Sequence, residues 1–479
     1  MITWELKKSK LKRYPHFDKY LSPTKAEELA SDPERVRTNP FFPFLCYAKA
    51  WQPFRPYGKP RKERLIRYAS RRDSYIFARY RHLLADKYEA VLMTLGIQEC
   101  PIAYRKVPVA LGANQGKCNI HFAKDAFDRI SALENSCAVT LDISSYFESL
   151  DHGLLRAIWC RVIEQHDLPL DHAAVFKAIT EYSVVDRDQA LERLGYIGPK
   201  EKCGRNVVGF LKGYKEMPIQ LCTTKDFREK IAGRDSSYPS IIKKNKQPYG
   251  IPQGAPISDI LSNIYLIDFD VSLAHWVHHR GGFYRRYSDD ILIIVPGGAD
   301  EGRAACDYAR AQITRFGAQL QIKADKTSIV RYIKRADGDL DMIHVEGAQG
   351  KNGLEYLGFR FDGRSIYLRD STLSRFYRKI TFSLQHEARA LVARFPGKGA
   401  GFLTVHFDLD KFVQKFGRVE DFDANTDWRN WTFWSYARRA ADLFGDRGRP
   451  ILRQVRGHRE FIESLARTKI LAALNGARK

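Results

Sequence analysis

The chain has 479 residues and a formal net charge of +23 at pH 7, because 79 Lys and Arg residues outnumber 56 Asp and Glu residues. At about 150 residues per domain this length predicts several domains or subdomains, and 44% hydrophobic with 28% charged residues excludes a disordered or fibrous chain. The basic residues are spread along the whole chain, so we expect a polyanion, most simply nucleic acid, to bind over a large surface.

The sequence lacks the signals of a membrane or secreted protein. No run of about 18 uncharged apolar residues is present, and the N-terminal sequence MITWELKKSKLKRYPHF has no apolar core of the kind that a signal peptide needs. The eight cysteines form no Cys-x-x-Cys pair and have no nearby histidine at zinc-binding spacing. We therefore expect reduced thiols in a cytoplasmic protein.

Helix and strand patterns alternate along the chain, which predicts an α+β fold. The predicted helices are residues 73–88, 152–165, 257–279 and 301–316. The predicted strands are residues 138–143, about 327–333 and about 355–368, and from about residue 371 onward the pattern is mostly helical. The basic stretch 166–247 is irregular in pattern and is predicted to be an insertion or a lobe with its own loops.

Residues 283–295 (FYRRYSDDILIIV) place two adjacent aspartates, Asp289 and Asp290, before a strongly apolar run. The run is mostly β-branched and is followed by Pro-Gly-Gly, so it is predicted to be a short buried strand. Residues 284–287 are its predicted partner, with Ser288 and Asp289 at the tip of a hairpin. Ser and Asp are common turn residues, and a turn alone would be a sufficient explanation of this pair.

A third aspartate, Asp142, ends the predicted strand in AVTLDISSYFESL. Alone it would be interpreted as a helix cap or a turn residue. If the fold brings it to Asp289 and Asp290, three carboxylates converge, and a bound cation makes such an arrangement tolerable. Two magnesium ions about 4 Å apart can activate a 3′-hydroxyl group and stabilise a leaving pyrophosphate. The predicted cofactor is therefore a pair of Mg²⁺ ions, with Mn²⁺ as a substitute, and the predicted chemistry is nucleotidyl transfer.

Five segments resemble, in content and in order, the palm motifs of reverse transcriptases. They are LDISSYF, GIPQGAPIS, YSDD, KADKT and EYLGF, and two earlier segments, KERLIRYASRRDSYIF and AYRKVPVALGANQGKCN, resemble the finger motifs of the same family. The resemblance spans residues 59–368, and it is specific because the motifs occur in the family's order. Within the family it is closest to the bacterial defence-associated enzymes related to the abortive-infection type.

The resemblance implies an α+β right-hand polymerase with fingers, a palm built on an antiparallel sheet, and a helical thumb-like C-terminal region. The implied division is an N-terminal extension 1–58, fingers 59–137, a palm 138–368 that contains the basic insertion, and a thumb-like domain 369–479. The sequence has no NAxxH motif of retrons, no zinc or HNH endonuclease pattern and no RNase H domain. The arginine-rich stretch from Arg447 is expected either to follow a nucleic-acid backbone or to be a solvated helix.

By resemblance, five positions would carry the chemistry. Asp142 and Asp289 match the metal-binding aspartates, and Asp290 matches the third acidic position. Ile143 would offer its backbone carbonyl group to a metal. Lys326 resembles the lysine proposed as general acid toward pyrophosphate, and the alternative for Lys326 is a solvated surface lysine.

The resemblance also implies contacts to the substrates. Phe147 matches the aromatic steric gate that excludes a ribose 2′-hydroxyl group, so dNTPs are the implied substrates, whereas the adjacent Tyr146 is expected in the core. The other implied contacts to the incoming nucleotide are Gln253, Gly254, Arg64, Lys62 and Arg105, and the implied primer grip is Tyr356, Leu357 and Gly358. Ser258 fits the second palm motif, but Asp259 stands where related enzymes often carry proline.

The implied function is RNA-directed DNA polymerisation in bacterial antiphage defence, with a dedicated noncoding RNA as partner, dNTPs as substrates and DNA as product. An intron-type or diversity-generating reverse transcriptase and a template-independent or protein-primed DNA polymerase are alternatives. A nucleic-acid-binding scaffold without activity is the non-enzyme alternative. A homo-oligomer or an accessory protein stays open.

Overall fold

The structure is a computed structural model that describes residues 4–6, 11–51, 62–110, 113, 115–202, 205–213, 216–347, 350–417 and 432–477. The strands are β1 Phe44–Trp51, β2 Lys62–Tyr68, β3 Asn135–Asp142, β4 Ser183–Asp186, β5 Ile197–Lys202, β6 Arg205–Phe210, β7 Lys243–Lys244, β8 Phe283–Tyr287, β9 Asp290–Pro296, β10 Ser328–Lys334, β11 Leu340–Gly347, β12 Leu354–Tyr356, β13 Phe359–Phe361 and β14 Ile366–Leu368. The helices are α1 Pro23–Ser31, α2 Pro33–Arg37, α3 Arg71–Thr94, α4 Asn119–Ala132, α5 His152–Val162, α6 Leu170–Thr180, α7 Arg187–Arg193, α8 Thr224–Asp226, α9 Ser258–Tyr265, α10 Ile267–His278, α11 Ala299–Ile313, α12 Asp370–Arg394, α13 Ala400–Val405, α14 Leu409–Phe416, α15 Phe433–Phe444, α16 Arg449–Gln454 and α17 His458–Ala477. This mixture of helices and mainly antiparallel strands confirms the predicted α+β class.

The largest sheet has five antiparallel strands in the order β11-β10-β3-β9-β8. Alternate side chains of β9 pack into two different cores: Ile293 joins the core that contains residues of α10 and α11, and Ile294 joins the core that contains residues of α4. Because both faces are buried, the β9 sequence is a nearly continuous apolar run instead of an alternating one. This explains why the apolar run was recognisable as a strand from the sequence.

Strands β8 and β9 form the predicted hairpin. Tyr287 and Asp290 are the last paired residues, and Ser288 and Asp289 form the tip. Ser288 has a φ of 59°, in the left-handed region that a two-residue hairpin turn requires. The predicted position of Ser288 and Asp289 at the tip is therefore confirmed.

A second sheet has the order β2-β1-β4-β7, and β4 lies parallel to β1. The stretch 166–247 is more regular than its pattern indicated, because it contributes helices, a two-stranded ribbon (β5 and β6) and two strands of this sheet. Its short elements have weak local patterns, and they are stabilised by a core shared with the N-terminal part, where Leu45 packs with Val185 and Ile231. The implied boundary at 58/59 lies between the paired strands β1 and β2.

Two further predictions differ from the structure in detail. The predicted helix 257–279 is two helices, α9 and α10, which are separated at Leu266, where φ is −102° and ψ is 20°. No Gly or Pro marks this break in the sequence, so the local pattern did not indicate it. Strand β11 was not predicted, because it is an edge strand whose side chains are largely exposed or half-buried.

The C-terminal part is helical, as predicted. Helices α12 and α17 pack along each other around one core, and α15 packs against the three-stranded sheet β12-β13-β14. The side chain of Gln454 in α16 exchanges two hydrogen bonds with the backbone of Leu368 in β14. In the part of the chain that the structure describes, no helix is long and apolar enough to cross a bilayer.

Candidate active site

The pairing of β3 with β9 brings three aspartates to one end of the five-stranded sheet. Asp142, the last residue of β3, lies directly opposite Asp290, the first residue of β9. Asp289 precedes Asp290 in the turn. The carbonyl oxygen of Asp289 accepts a hydrogen bond of 3.0 Å from the amide of Ile143. The strands thus place side by side carboxylates that are far apart in the sequence.

The pKa values of this group reflect the crowding of negative charge. Desolvation by the surrounding protein is the main cause that raises the pKa of Asp290 to about 6, and repulsion from Asp289 and Asp142 adds to it. The pKa of Asp289 is also raised, mainly by burial and further by Asp142. The positive charge of Lys326 offsets part of this repulsion at Asp289 and at Asp290. Removal of negative charge, or addition of positive charge, would therefore stabilise this end of the sheet.

Lys326 is next to the carboxylates because the short turn Ala324–Lys326 leads into β10, which pairs with β3. Its ammonium group forms an ion pair with Oδ1 of Asp142. Among the described residues, no group of three or more His, Cys, Asp or Glu side chains lies in an arrangement that could hold a metal ion. The carboxylate oxygens are nevertheless the donor type that Mg²⁺ prefers, and departure of Lys326 would free Oδ1 of Asp142 for an ion.

A buried ion pair supports the turn that carries Asp289. The guanidinium of Arg286, which is 0% exposed, donates from Nε and Nη2 to the two carboxylate oxygens of Asp270, at 2.8 and 2.6 Å. Its Nη1 donates to the carbonyl oxygen of Ser288 at 3.0 Å. The hydroxyl group of Tyr284 also donates to Asp270, at 2.6 Å. Sequence reasoning missed Arg286, and its only signal was a charged residue inside a predicted core hairpin.

The two aromatic residues after Asp142 have different environments. Tyr146 is buried, and its hydroxyl group donates to the carbonyl oxygen of Ser262, as expected for a core residue. Phe147 is half-buried, and its carbonyl oxygen accepts a hydrogen bond of 2.8 Å from the amide of Ile251. This bond connects the segment after Asp142 with the segment that contains Gln253 and Gly254.

Gly254 lies against the backbone of β2. It has a φ of 118°, and a Cβ atom at this position would be 2.1 Å from the carbonyl oxygen of Arg67. The Arg67 side chain in turn forms an ion pair of 2.9 Å with Glu148. Gln253 is exposed next to this contact. The backbone here leaves room for glycine alone, and β2 is thereby held against the candidate site.

The segment after Gly254 is fixed by two further side chains. The hydroxyl group of Ser258 donates to the carbonyl oxygen of Pro252 at 2.8 Å. The two carboxylate oxygens of Asp259 accept from Nε of Arg81, at 2.9 and 2.8 Å. Nη2 of Arg81 donates to the carbonyl oxygen of Tyr104 at 3.1 Å. Asp259 therefore anchors the loop that contains Tyr104.

The three basic residues predicted to contact a triphosphate differ in placement. Arg64 is exposed on β2, opposite Lys49 of β1, and no described residue pairs with its guanidinium. Lys62 begins β2, and its side chain lies outside the described residues.

Arg105, the third of these basic residues, is paired inside the protein. It bonds both carboxylate oxygens of Glu89, at 2.7 and 2.6 Å, and its Nη1 donates to the carbonyl oxygens of Gln98 (2.8 Å) and Pro101. The side chain is 5% exposed. These four hydrogen bonds hold the guanidinium inside the protein, and a contact from Arg105 to a nucleotide stays a prediction.

The predicted primer grip is a tight turn between β12 and β13. Leu357 has a φ of 44° and Gly358 a φ of 95°. The side chain of Asn119 donates to the carbonyl oxygen of Leu357 at 3.2 Å. The backbone amide of Arg369 donates to the carbonyl oxygen of Gly358 at 2.9 Å. Tyr356 is buried; its pKa is raised, mainly by burial and in part by Asp290. The turn is therefore held by the first residue of α4 and by the residue that precedes α12.

Tyr104 is a site residue that sequence reasoning did not assign. It has a φ of 61°, is 43% exposed, and its hydroxyl oxygen is 3.5 Å from Oγ of Ser288. Its pKa is raised mainly by burial, and the charges of Asp289 and Asp290 contribute. A tyrosine thus lies beside the hairpin tip that carries Asp289. Its only signal in the sequence is its place in the segment AYRK.

No protein-family model matches the sequence, and no curated protein is similar to it at a significant level. Among solved structures, the apo telomerase of Candida tropicalis truncated from its C-terminal domain has a TM-score of 0.39 and 10% identity over 68% of this chain and 55% of that chain. The telomerase of Candida albicans in complex with the TWJ fragment of telomeric RNA has a TM-score of 0.38 and 13% identity over 91% of this chain and 67% of that chain. The chain thus spans just over half the length of the first of these proteins, and a likeness at this distance carries no conclusion about the function of this chain.

Proposed function

We propose that this chain is an RNA-directed DNA polymerase that extends DNA from dNTPs by two-metal nucleotidyl transfer. The observation that carries the proposal is the register that sets Asp142 opposite Asp290, with Asp289 in the adjoining turn. The order of the motifs resembling those of reverse transcriptases and the net charge of +23 support the same function. The arrangement would be a right-hand polymerase in which β1, as the partner of β2, belongs with the fingers.

Asp142, Asp289, Asp290 and the carbonyl group of Ile143 would hold the metal ions. A pair of bound Mg²⁺ ions would supply activation of the primer 3′-hydroxyl group and charge stabilisation at the leaving pyrophosphate. The role of the protein would be to keep these oxygens at fixed positions. Arg286 would do this for the turn, through its hydrogen bond to the carbonyl oxygen of Ser288.

Lys326 has two successive roles in this proposal. In the structure it neutralises Asp142, which limits repulsion among the carboxylates. When the site is loaded, the ammonium group is free to turn toward the pyrophosphate and to donate a proton to it. A half-exposed lysine on a short turn can make this change without a rearrangement of the sheet.

The nucleotide pocket would be formed by three segments that already contact one another. The bond from Ile251 to the carbonyl group of Phe147 and the close approach of Gly254 to Arg67 connect them. In this arrangement Phe147 would meet the sugar, and Arg64 on β2 would contact the triphosphate. The turn at Leu357 and Gly358 would hold the primer end.

We further propose that the enzyme acts in bacterial antiphage defence on a dedicated noncoding RNA. The support is the resemblance of the AYRK segment and the following loop to defence-associated enzymes. The template, the primer and the biological trigger are to be determined from the RNA that accompanies the protein.

The test is incorporation of labelled dNTPs by protein purified together with its cellular RNA, in the presence of Mg²⁺. We expect synthesis by the wild type and none by Asp289→Ala, while the control Asp325→Ala, an exposed residue next to Lys326, stays active. Equal labelling by the wild type and Asp289→Ala, over varied primers and templates, would refute the proposal. Sequencing of the RNA and the product would identify the template, and label that migrates with denatured protein would indicate protein priming.

A further inference from the structure

A cavity of about 520 Å³ lies in the C-terminal part, between α14, α15 and the junction of α16 with α17. Its lining is divided in character. Trp434 and Leu452 contribute an apolar wall, and the basic lining residues are Arg438, Arg453, Arg456 and Arg459. Glu460 is the acidic residue among the described lining residues. A volume of this size is typical of a small-molecule site (about 300–1,000 Å³), and the positive charge selects an anion.

Two of the four arginines have no acidic partner among the described residues. Arg438 is paired with Asp442 at 3.1 Å, and Arg459 lies 3.5 Å from Asp410. Arg453, in the last turn of α16, and Arg456, between α16 and α17, are both exposed, and no described carboxylate is within ion-pairing distance of either. Their guanidinium groups can therefore bind an external anion without breaking an ion pair, and arginine is well suited to phosphate because it offers paired donors.

The N-terminus of α17 opens into the same cavity. Gly457, with a φ of 76°, precedes the helix and has no side chain to cap it, and residues 457–460 all line the cavity. The first amides of a helix have no partner within the helix and carry its positive dipole end. These amides therefore add donors for an anion in the cavity that the arginines also line.

A buried histidine provides an independent sign that a ligand belongs here. His458 lines the cavity and is 3% exposed, and its Nδ1 has no hydrogen-bond partner in the described part of the chain. Its Nε2 is 3.2 Å from the hydroxyl group of Tyr377, which fixes the ring. A buried polar atom without a partner is unfavourable by about 1–3 kcal/mol, and a ligand atom in the cavity would satisfy it.

We propose that this cavity binds the 5′-phosphate of a nucleotide, either free or at the end of an RNA chain. The phosphate lies between Arg453, Arg456 and the N-terminus of α17, and the base packs on the wall formed by Trp434 and Leu452. None of the residues that line the cavity belongs to the candidate active site. The proposal therefore stands whether or not the chain is a polymerase.

Calorimetric titration of the full chain in EDTA tests this site without loading the carboxylates. The probes are adenosine 5′-monophosphate, adenosine, and one short RNA with either a 5′-phosphate or a 5′-hydroxyl group. The variant is Arg453→Gln with Arg456→Gln. The matched control is Arg449→Gln, an exposed arginine of the same region that does not line the cavity, and Asp289→Ala tests independence from the active site.

We expect adenosine 5′-monophosphate to bind more tightly than adenosine, and the double variant to weaken this binding by about tenfold or more. Both controls should bind as the wild type does. A preference for 5′-phosphorylated RNA that the double variant loses would assign the site to an RNA end, and its absence would leave the free nucleotide as ligand. Failure of every phosphorylated probe to bind, or equal weakening by Arg449→Gln, would overturn the proposal.

Discussion

The buried guanidinium of Arg286 donates a hydrogen bond of 3.0 Å to the carbonyl oxygen of Ser288, the residue that precedes Asp289. Removal of Arg286 alone would strand the charge of Asp270, which typically costs about 3–5 kcal/mol. We therefore predict the effect of a triple variant, Arg286→Met with Asp270→Leu and Tyr284→Phe, which removes the polar groups of all three side chains of the cluster. It should fold, yet lose about tenfold or more in dNTP incorporation because the turn is no longer fixed. Thermal melting monitors the fold, and full activity of the folded variant would contradict a positioning role.

The raised pKa of Asp290 predicts a pH-dependent gain in stability for Asp290→Asn. The pKa is about 6 in the folded protein against an ordinary value of 3.8. Above about pH 6 the carboxyl group is ionised in the folded and in the unfolded protein, and its charge destabilises the folded state. Below about pH 4 the group is protonated in both states, so this destabilisation vanishes. In EDTA the variant should therefore melt at a higher temperature than the wild type at pH 8, and the difference should shrink as the pH falls from 6 to 4. A constant difference would contradict this.

The ion pair of Lys326 with Asp142 predicts opposite effects on metal binding and on turnover. In Lys326→Met the lysine no longer competes for the carboxylate, so Mg²⁺ should raise the melting temperature at lower concentrations than in the wild type. Incorporation of dNTPs should nevertheless fall, because the proton donor is lost. Lys323→Met, at an exposed position just before the turn, is the matched control. Weaker Mg²⁺ binding in Lys326→Met would show that the lysine does not occupy the metal site.

The sequence predicted the hairpin and the strand that ends at Asp142 because both are apolar runs terminated by polar residues. It did not give the register of β3 with β9, since strand pairing over this distance depends on the whole sheet. The pairing of Arg105 with Glu89 of α3 was not predicted, because a contact between two separate elements is not visible in a local pattern. Arg286 was missed for the same reason: its burial beside Asp270 is a property of the packed fold.

Two glycines with positive φ offer a matched pair that separates backbone strain from a steric clash. Gly358 has a φ of 95° and nothing within 4 Å of an added Cβ atom, whereas the same atom at Gly254 would be 2.1 Å from the carbonyl oxygen of Arg67. Gly358→Ala should therefore cost about 1 kcal/mol of unfolding free energy from strain alone. Gly254→Ala should cost clearly more and should lower incorporation, because β2 is displaced from the site. Equal effects in denaturant unfolding would argue against this close packing.

The half-buried ring of Phe147 leads to a prediction of the sugar selectivity of the proposed polymerase. In Phe147→Ala the space beside the sugar of the incoming nucleotide grows, so kcat/KM for a ribonucleotide should rise relative to that for the matching dNTP, by about tenfold or more. Gln253→Ala is the control, because an exposed side chain that packs on the base should affect both substrates alike. The measurement is a competition between labelled ribonucleotide and dNTP on the same template. A ratio unchanged from the wild type would remove Phe147 from the gate position and would leave the exposed Tyr104, beside Ser288, as the next aromatic residue to test.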